Sequence, residues 1–191
     1  MKIVSQESIV IIDQSAWVEE LFAPYKDLIG KDFKAYRGHV YRIITFAMHF
    51  LNGDESQRKM VETVSVYHDI GLWSDHNLAY LEPSEVLALK DNESKSFGLD
   101  PKTLKAAIHW HHKITPYAGP AEKIVNAIRK ADWIDFSQGM ISKGISREEI
   151  KAVQEAIPDY GFLNVLLRLA RDIGGSIIKG NLKVLRYVFK F

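Results

Sequence analysis

KAYRGHVYRIITFAMHFL, residues 34–51, is the stretch on which the fold turns. Val40, Ile43, Ile44, Ala47, Phe50 and Leu51 recur at intervals of three and four, and on a helix that spacing gathers them into one stripe. The pattern predicts an amphipathic helix with this stripe against a core, ended by Gly53 and Asp54. His39 falls on the same stripe, four residues before Ile43, so its imidazole is directed inward and needs a partner there. A backbone carbonyl or a metal ion would each serve.

Working outward, Met60, Val61, Val64 and Tyr67 or His68 share a face over 57–70, which predicts a second helix with Gly71 as its C-cap and His68-Asp69 at its end. Residues 74–82 read as a loop, 84–90 as a short helix after Pro83, and 91–98 as a polar connection. Pro101 opens a helix carrying Leu104, Ile108 and His111 or His112, which the Thr115–Pro120 stretch terminates. Ala121 to Phe136 presents Ile124, Val125, Ile128 and Asp132 on one side. Ser146 with Glu149 matches a capping box, Pro158 closes that segment, and 163–178 is again apolar and helical. The tail 182–189 reads as a short helix or an extended flap, and the Ile9–Ile12 run as the one strand candidate. The expected fold is all-α: a single domain over 1–191, with a signature core at about 34–140 and C-terminal helices from 146 to 191 packed on it.

Composition narrows the chemistry. Hydrophobic residues make up 47% and charged residues 26%, as in a folded globular chain. Lys and Arg number 25 against 24 Asp and Glu, so net charge gives no reason to expect a nucleic-acid or membrane-surface partner. Cysteine is absent, which removes disulfides, thiolate ligands and a cysteine nucleophile. No apolar run approaches the roughly 18–20 residues of a membrane span, and the N-terminus lacks a signal-peptide core, so a cytoplasmic location is expected.

Any metal must therefore be held by His, Asp or Glu. His68-Asp69 offers an imidazole nitrogen and a carboxylate oxygen side by side, a donor mixture suited to several divalent ions. Asp132 occupies a position where the helical stripe calls for an apolar residue, and a buried carboxylate must be paired or bound to a cation. Lys130 and Arg129 are close in sequence but project elsewhere around the helix.

In order and approximate spacing, His39, His68-Asp69 and Asp132 reproduce an H…HD…D signature, and the chain resembles the HD-domain metal-dependent phosphohydrolase superfamily over residues 34–140. His68-Asp69-Ile70-Gly71-Leu72-Trp73, Tyr80-Leu81-Glu82-Pro83-Ser84, His111-His112-Lys113 and Ala131-Asp132-Trp133 are similar to a poorly characterised bacterial branch of it. The Lys that often follows this HD motif is replaced by Leu72.

The resemblance implies an HD-type helical bundle that hydrolyses a small phosphorylated metabolite or nucleotide. His39, His68, Asp69 and Asp132 would hold one divalent ion (Mn, Mg, Fe, Co, Ni or Zn), which activates water and polarises a phosphoryl oxygen. His111 and His112 are candidates for a second ion. Because neighbours on a helix point about 100° apart, the two are expected to differ in role, with His111 in the pocket. Arg37, Arg42, His111 and Lys113 are candidate substrate contacts. Asp75 and Glu82, with Asp69, are candidate catalytic carboxylates, and Asp135 is either an imidazole orienter or a surface residue. A hydratase, a di-iron oxygenase and a non-catalytic nucleotide sensor are the alternative readings, and a homo-oligomer is left open.

Overall fold

A stripe of apolar residues needs a partner stripe, and a computed structural model, which describes residues 8–175, supplies one for the long helix that begins just before Lys34. That helix, α3 (Phe33–Phe50), packs most extensively against α8 (Glu122–Phe136) and next against α4 (Glu55–Tyr67). Val40, Ile43, Ile44, Ala47, Val61, Val64, Val125 and Ile128 close the space between them and are almost wholly buried. Three helix faces thus meet around the middle of α3, where His39 sits.

Ahead of this core, α1 (Ala16–Phe22) lies on α4, and the short α2 (Lys26–Ile29) is flanked by single 3₁₀ turns. After α4 come the one-turn α5 (Gly71–Ser74), α6 (Leu81–Ser94) and α7 (Pro101–Trp110), with α7 bridging α6 and α8. α9 (Arg147–Ala156) and α10 (Phe162–Gly174) both return to α3. The described residues form an all-α bundle without strands, and none of their helices is long and apolar enough to cross a membrane.

Local sequence explains most of the boundaries. Ser15, Asp54, Asp100 and Ser146 each cap a helix by accepting a backbone N–H, and Ser146 with Glu149 forms the expected capping box. Each cap contributes about 1 kcal/mol.

Three expectations are corrected. The second helix stops at Tyr67, and Gly71 opens α5 instead of capping α4. Glycine is needed there because a Cβ would lie 2.3 Å from the carbonyl oxygen of Tyr80. Residues 81–94 form one helix, longer than 84–90, and the Ile9–Ile12 run is irregular. The end of the 163–178 helix and the tail 182–189 lie outside the described residues.

Gly38 has a similar role on α3. A Cβ at this position would stand 2.8 Å from the Pro158 carbonyl oxygen, so glycine lets the loop after α9 press against α3 beside His39 and Arg42.

Candidate metal centre

Three helix segments deliver their polar residues to one buried point. His39 comes from the middle of α3, Asp132 from the middle of α8, and His68-Asp69 from the turn just past α4; each is about 1% exposed. His39 Nε2 lies 3.1 Å from His68 Nε2, 3.9 Å from Asp69 Oδ2 and 3.6 Å from Asp132 Oδ1. His68 Nε2 is 3.3 Å from Asp69 Oδ2 and 3.9 Å from Asp132 Oδ1. The structure thus brings together the four residues singled out in the sequence.

Outer partners fix the imidazoles. His39 Nδ1 is 2.6 Å from Asp135 Oδ2, His68 Nδ1 is 2.7 Å from the Ser65 carbonyl oxygen, and His111 Nδ1 is 2.6 Å from the Ile108 carbonyl oxygen. Carbonyl and carboxylate oxygens only accept, so each Nδ1 carries the hydrogen and donates it. In its neutral form, each ring then presents a bare Nε2 lone pair inward. His111 Nε2 faces Asp69 Oδ1 at 3.4 Å, acceptor against acceptor. Asp69 Oδ1, Asp132 Oδ1 and His111 Nε2 are buried and have no hydrogen-bond partner among the described residues. Burying such atoms unsatisfied costs about 1–3 kcal/mol each.

A cation resolves that conflict, and the spacing suits one: two nitrogens about 2.1 Å from a shared ion stand roughly 3.0–3.4 Å apart. Two donor sets are present among the described residues, His39–His68–Asp69 and Asp69–His111–His112, so Asp69 belongs to both. His111 and His112 were expected to diverge, yet both rings are buried beside Asp69, with His112 Nε2 3.8 Å from its Oδ1 and His112 Nδ1 2.8 Å from Asp132 Oδ2. The reason is that α7 ends at Trp110 and both residues lie in the turn that follows, where the 100° rule for a helix does not apply.

Ionisation in the metal-free protein follows from burial and crowding. Burial pushes the His68 imidazole down, but the Asp69 and Asp132 charges outweigh it and hold its pKa above the ordinary histidine value. Burial also pushes Asp69 up, and the charge of the facing His68, the largest opposing cause, holds it well below the usual carboxylate range. Asp132, with His112 as its main counterweight to burial, is lowered to about 2. Burial, reinforced by the neighbouring His112, brings His111 down to about 4.

The remaining site expectations fare differently. Arg42 is not free to meet a substrate: it is 1% exposed, pairs through Nε and Nη2 with Asp135, and donates to the carbonyl oxygens of Ile157 and Pro158 at 3.2 and 3.0 Å. Its function is to hold Asp135, which in turn orients His39. Asp135 is therefore an orienter and not a surface residue. Arg37, one turn away, faces outward and pairs with Glu19 at 2.7 Å, so it too points away from the cluster. Lys113 has a half-buried side chain, and its carbonyl oxygen accepts from Arg129 and Trp133. Asp75 and Glu82 are exposed, and among the described residues neither makes a hydrogen bond or ion pair with the cluster.

Sequence reasoning missed Phe162, which stacks on His39 at 4.1 Å between ring centroids, and Tyr36, whose hydroxyl donates to the Val66 carbonyl at 2.8 Å beside the cluster. It assigned no definite role to Tyr80. Burial, with the nearby Asp69 charge, keeps both phenols well above their ordinary pKa and hence neutral. No family model matches the chain, and no curated protein or solved structure does either.

Proposed function

We propose that the chain is a metal-dependent hydrolase of the HD type that cleaves a small phosphate ester, with two divalent cations sharing Asp69. The observation that carries this reading is the convergence of bare Nε2 lone pairs from His39, His68 and His111 on the carboxylates of Asp69 and Asp132. Acceptors packed against acceptors, each locked by an outer hydrogen bond, make a poor protein interior and a good cation cage.

His39, His68, Asp69 through Oδ2 and Asp132 through Oδ1 would hold one ion, and Asp69 through Oδ1 with His111 and His112 the other. Cations bound there supply Lewis acidity toward a phosphoryl oxygen and bring the pKa of water toward neutrality. Imidazole-rich donors without thiolate favour Mn, Fe, Co, Ni or Zn over Mg.

Charge supports a phosphate as substrate. Arg42 neutralises Asp135, so two divalent ions against Asp69 and Asp132 leave about +2 in the pocket, the complement of a phosphate monoester dianion. One ion would leave it neutral. The cage itself supplies the positive charge that Arg37 and Arg42 do not.

Elemental analysis of protein purified without chelator, wild type beside Asp69→Ala, tests the site. About two divalent ions per chain, both lost in the variant, are expected, followed by chelator-sensitive turnover on a panel of phosphate esters. Protein that takes up no metal after reconstitution overturns the site, and metal-loaded protein that cleaves no phosphate ester overturns the reaction. Two irons with oxygen uptake would replace hydrolysis by the oxygenase reading.

A further inference from the structure

A metal cage and a phosphate head group leave the rest of the substrate undefined, and the wall next to the cage has a chemistry of its own. Beside His112 lies a cavity of about 110 Å³, walled on one side by Leu163, Leu166 and Leu169 of α10 and on the other by Leu72 and Leu78. Leu72, Leu78 and Leu169 belong to a small apolar cluster separate from the main core, with Leu166 packed against both and Tyr80 linking the cluster to the site. Of the side chains lining the cavity, only Tyr80 and His112 carry polar atoms.

We infer that the substrate of this centre carries a short hydrocarbon group, seated in the leucine-lined cavity while its polar end faces the histidines. A nucleobase would bring several donors and acceptors into a wall with no amide, carboxylate or guanidinium to meet them, and each unmet group costs about 1–3 kcal/mol. An alkyl chain loses nothing there and gains about 0.8 kcal/mol per methylene. Size points the same way: a dry cavity of about 150 Å³ takes benzene, so this one takes about four carbons. The wall is continuous with the site because His112 lines the cavity and also lies 2.8 Å from Asp132. For its polar end the inference rests on the phosphate reading; for the hydrocarbon it rests on the cavity alone.

Calorimetric titration of the full-length, metal-loaded protein with methyl-, butyl- and hexylphosphonate tests this without turnover, with 1-hexanol as a ligand lacking the head group. Affinity is expected to rise about fourfold per methylene up to about four carbons and then level off. In Leu166→Trp, which fills the cavity, hexylphosphonate should bind no better than methylphosphonate; Leu163→Trp is the second choice if that chain misfolds. Methyl-labelled NMR should place the alkyl chain against Leu72, Leu78 and Leu163. Hexanol binding at these methyls, with no phosphonate binding at all, would keep the cavity assignment while removing the phosphate reading. Affinity that is flat with chain length, or contacts from residues 176–191 of the chain itself to those methyls, overturns the inference.

Discussion

His39 Nε2 and His68 Nε2 face each other at 3.1 Å, and the opposite nitrogen of each ring is committed to an oxygen acceptor. Only a shared proton or a cation can make that contact favourable. Asp69 and Asp132 raise the pKa of His68, which favours the proton when no metal is bound, and the same carboxylates offer the cation solution.

Metal binding should therefore stabilise the fold as well as complete the site. At about a thousandfold excess over Kd, a ligand specific to the native state adds about 4 kcal/mol. For a domain of this size that raises Tm by roughly 8–16 °C. Thermal unfolding with manganese or zinc, before and after chelator, checks it. The shift should vanish in His68→Ala, and an equal shift in that variant would place the metal elsewhere.

Arg42→Met separates a structural from a substrate-binding role for this arginine. Removing one partner of a buried pair costs about 3–5 kcal/mol, because Asp135 keeps its charge without compensation. Metal affinity should fall roughly 10–100-fold as His39 loses its fixed orienter. Urea unfolding and metal titration would detect both. A variant with normal stability and metal content but raised KM would return Arg42 to the substrate.

The contrast between Arg37 and Arg42 marks the limit of what the sequence reveals. Both arginines flank His39, and the residue that selects Arg42, Asp135, is far away in the chain and meets it only through the packing of α3 on α8. Asp132 was legible because it breaks an apolar stripe. His111 and His112 were legible as candidate ligands of a second ion, and only their expected divergence failed, because periodicity assumes a helix that had already ended. The extent of α6 was hidden for the opposite reason: its buried face carries Ser84, Glu85, Asp91 and Asn92, so no apolar period appears even though the helix is well packed.

Gly71→Ala tests how tightly the turn after the HD pair is held. Its Cβ would lie 2.3 Å from the Tyr80 carbonyl oxygen, and Gly71 N–H donates to Ser84 Oγ at 2.9 Å, so the clash is with backbone on one side and an anchored turn on the other. Overpacking of this kind costs about 1–3 kcal/mol. Moving the Tyr80 segment should also loosen the leucine cavity and weaken metal binding. Chemical denaturation together with metal titration reads both effects; unchanged values would mean the segment shifts without consequence.

Asp91 gives a pH signature away from the cage. One of its oxygens, Oδ2, accepts from Tyr25 at 2.7 Å, Tyr67 at 2.6 Å and Lys95 at 2.8 Å, tying α6 to the last turn of α4 just before His68. Burial pushes the carboxyl up, but these donors outweigh it and the net shift is downward. A carboxyl with a depressed folded pKa binds protons more readily when unfolded. Its stabilisation is therefore fully present above the ordinary carboxylate value and is lost as pH falls through the folded one. Asp91→Asn should lower stability by about 1.5–3 kcal/mol at pH 7, the contribution of a hydrogen bond to a charged group. The gap between variant and wild type should narrow as pH drops below about 4. Urea midpoints of both chains in chelator, taken at several pH values, measure that gap. A gap constant with pH would mean that the charge of Asp91 contributes nothing and only its shape matters.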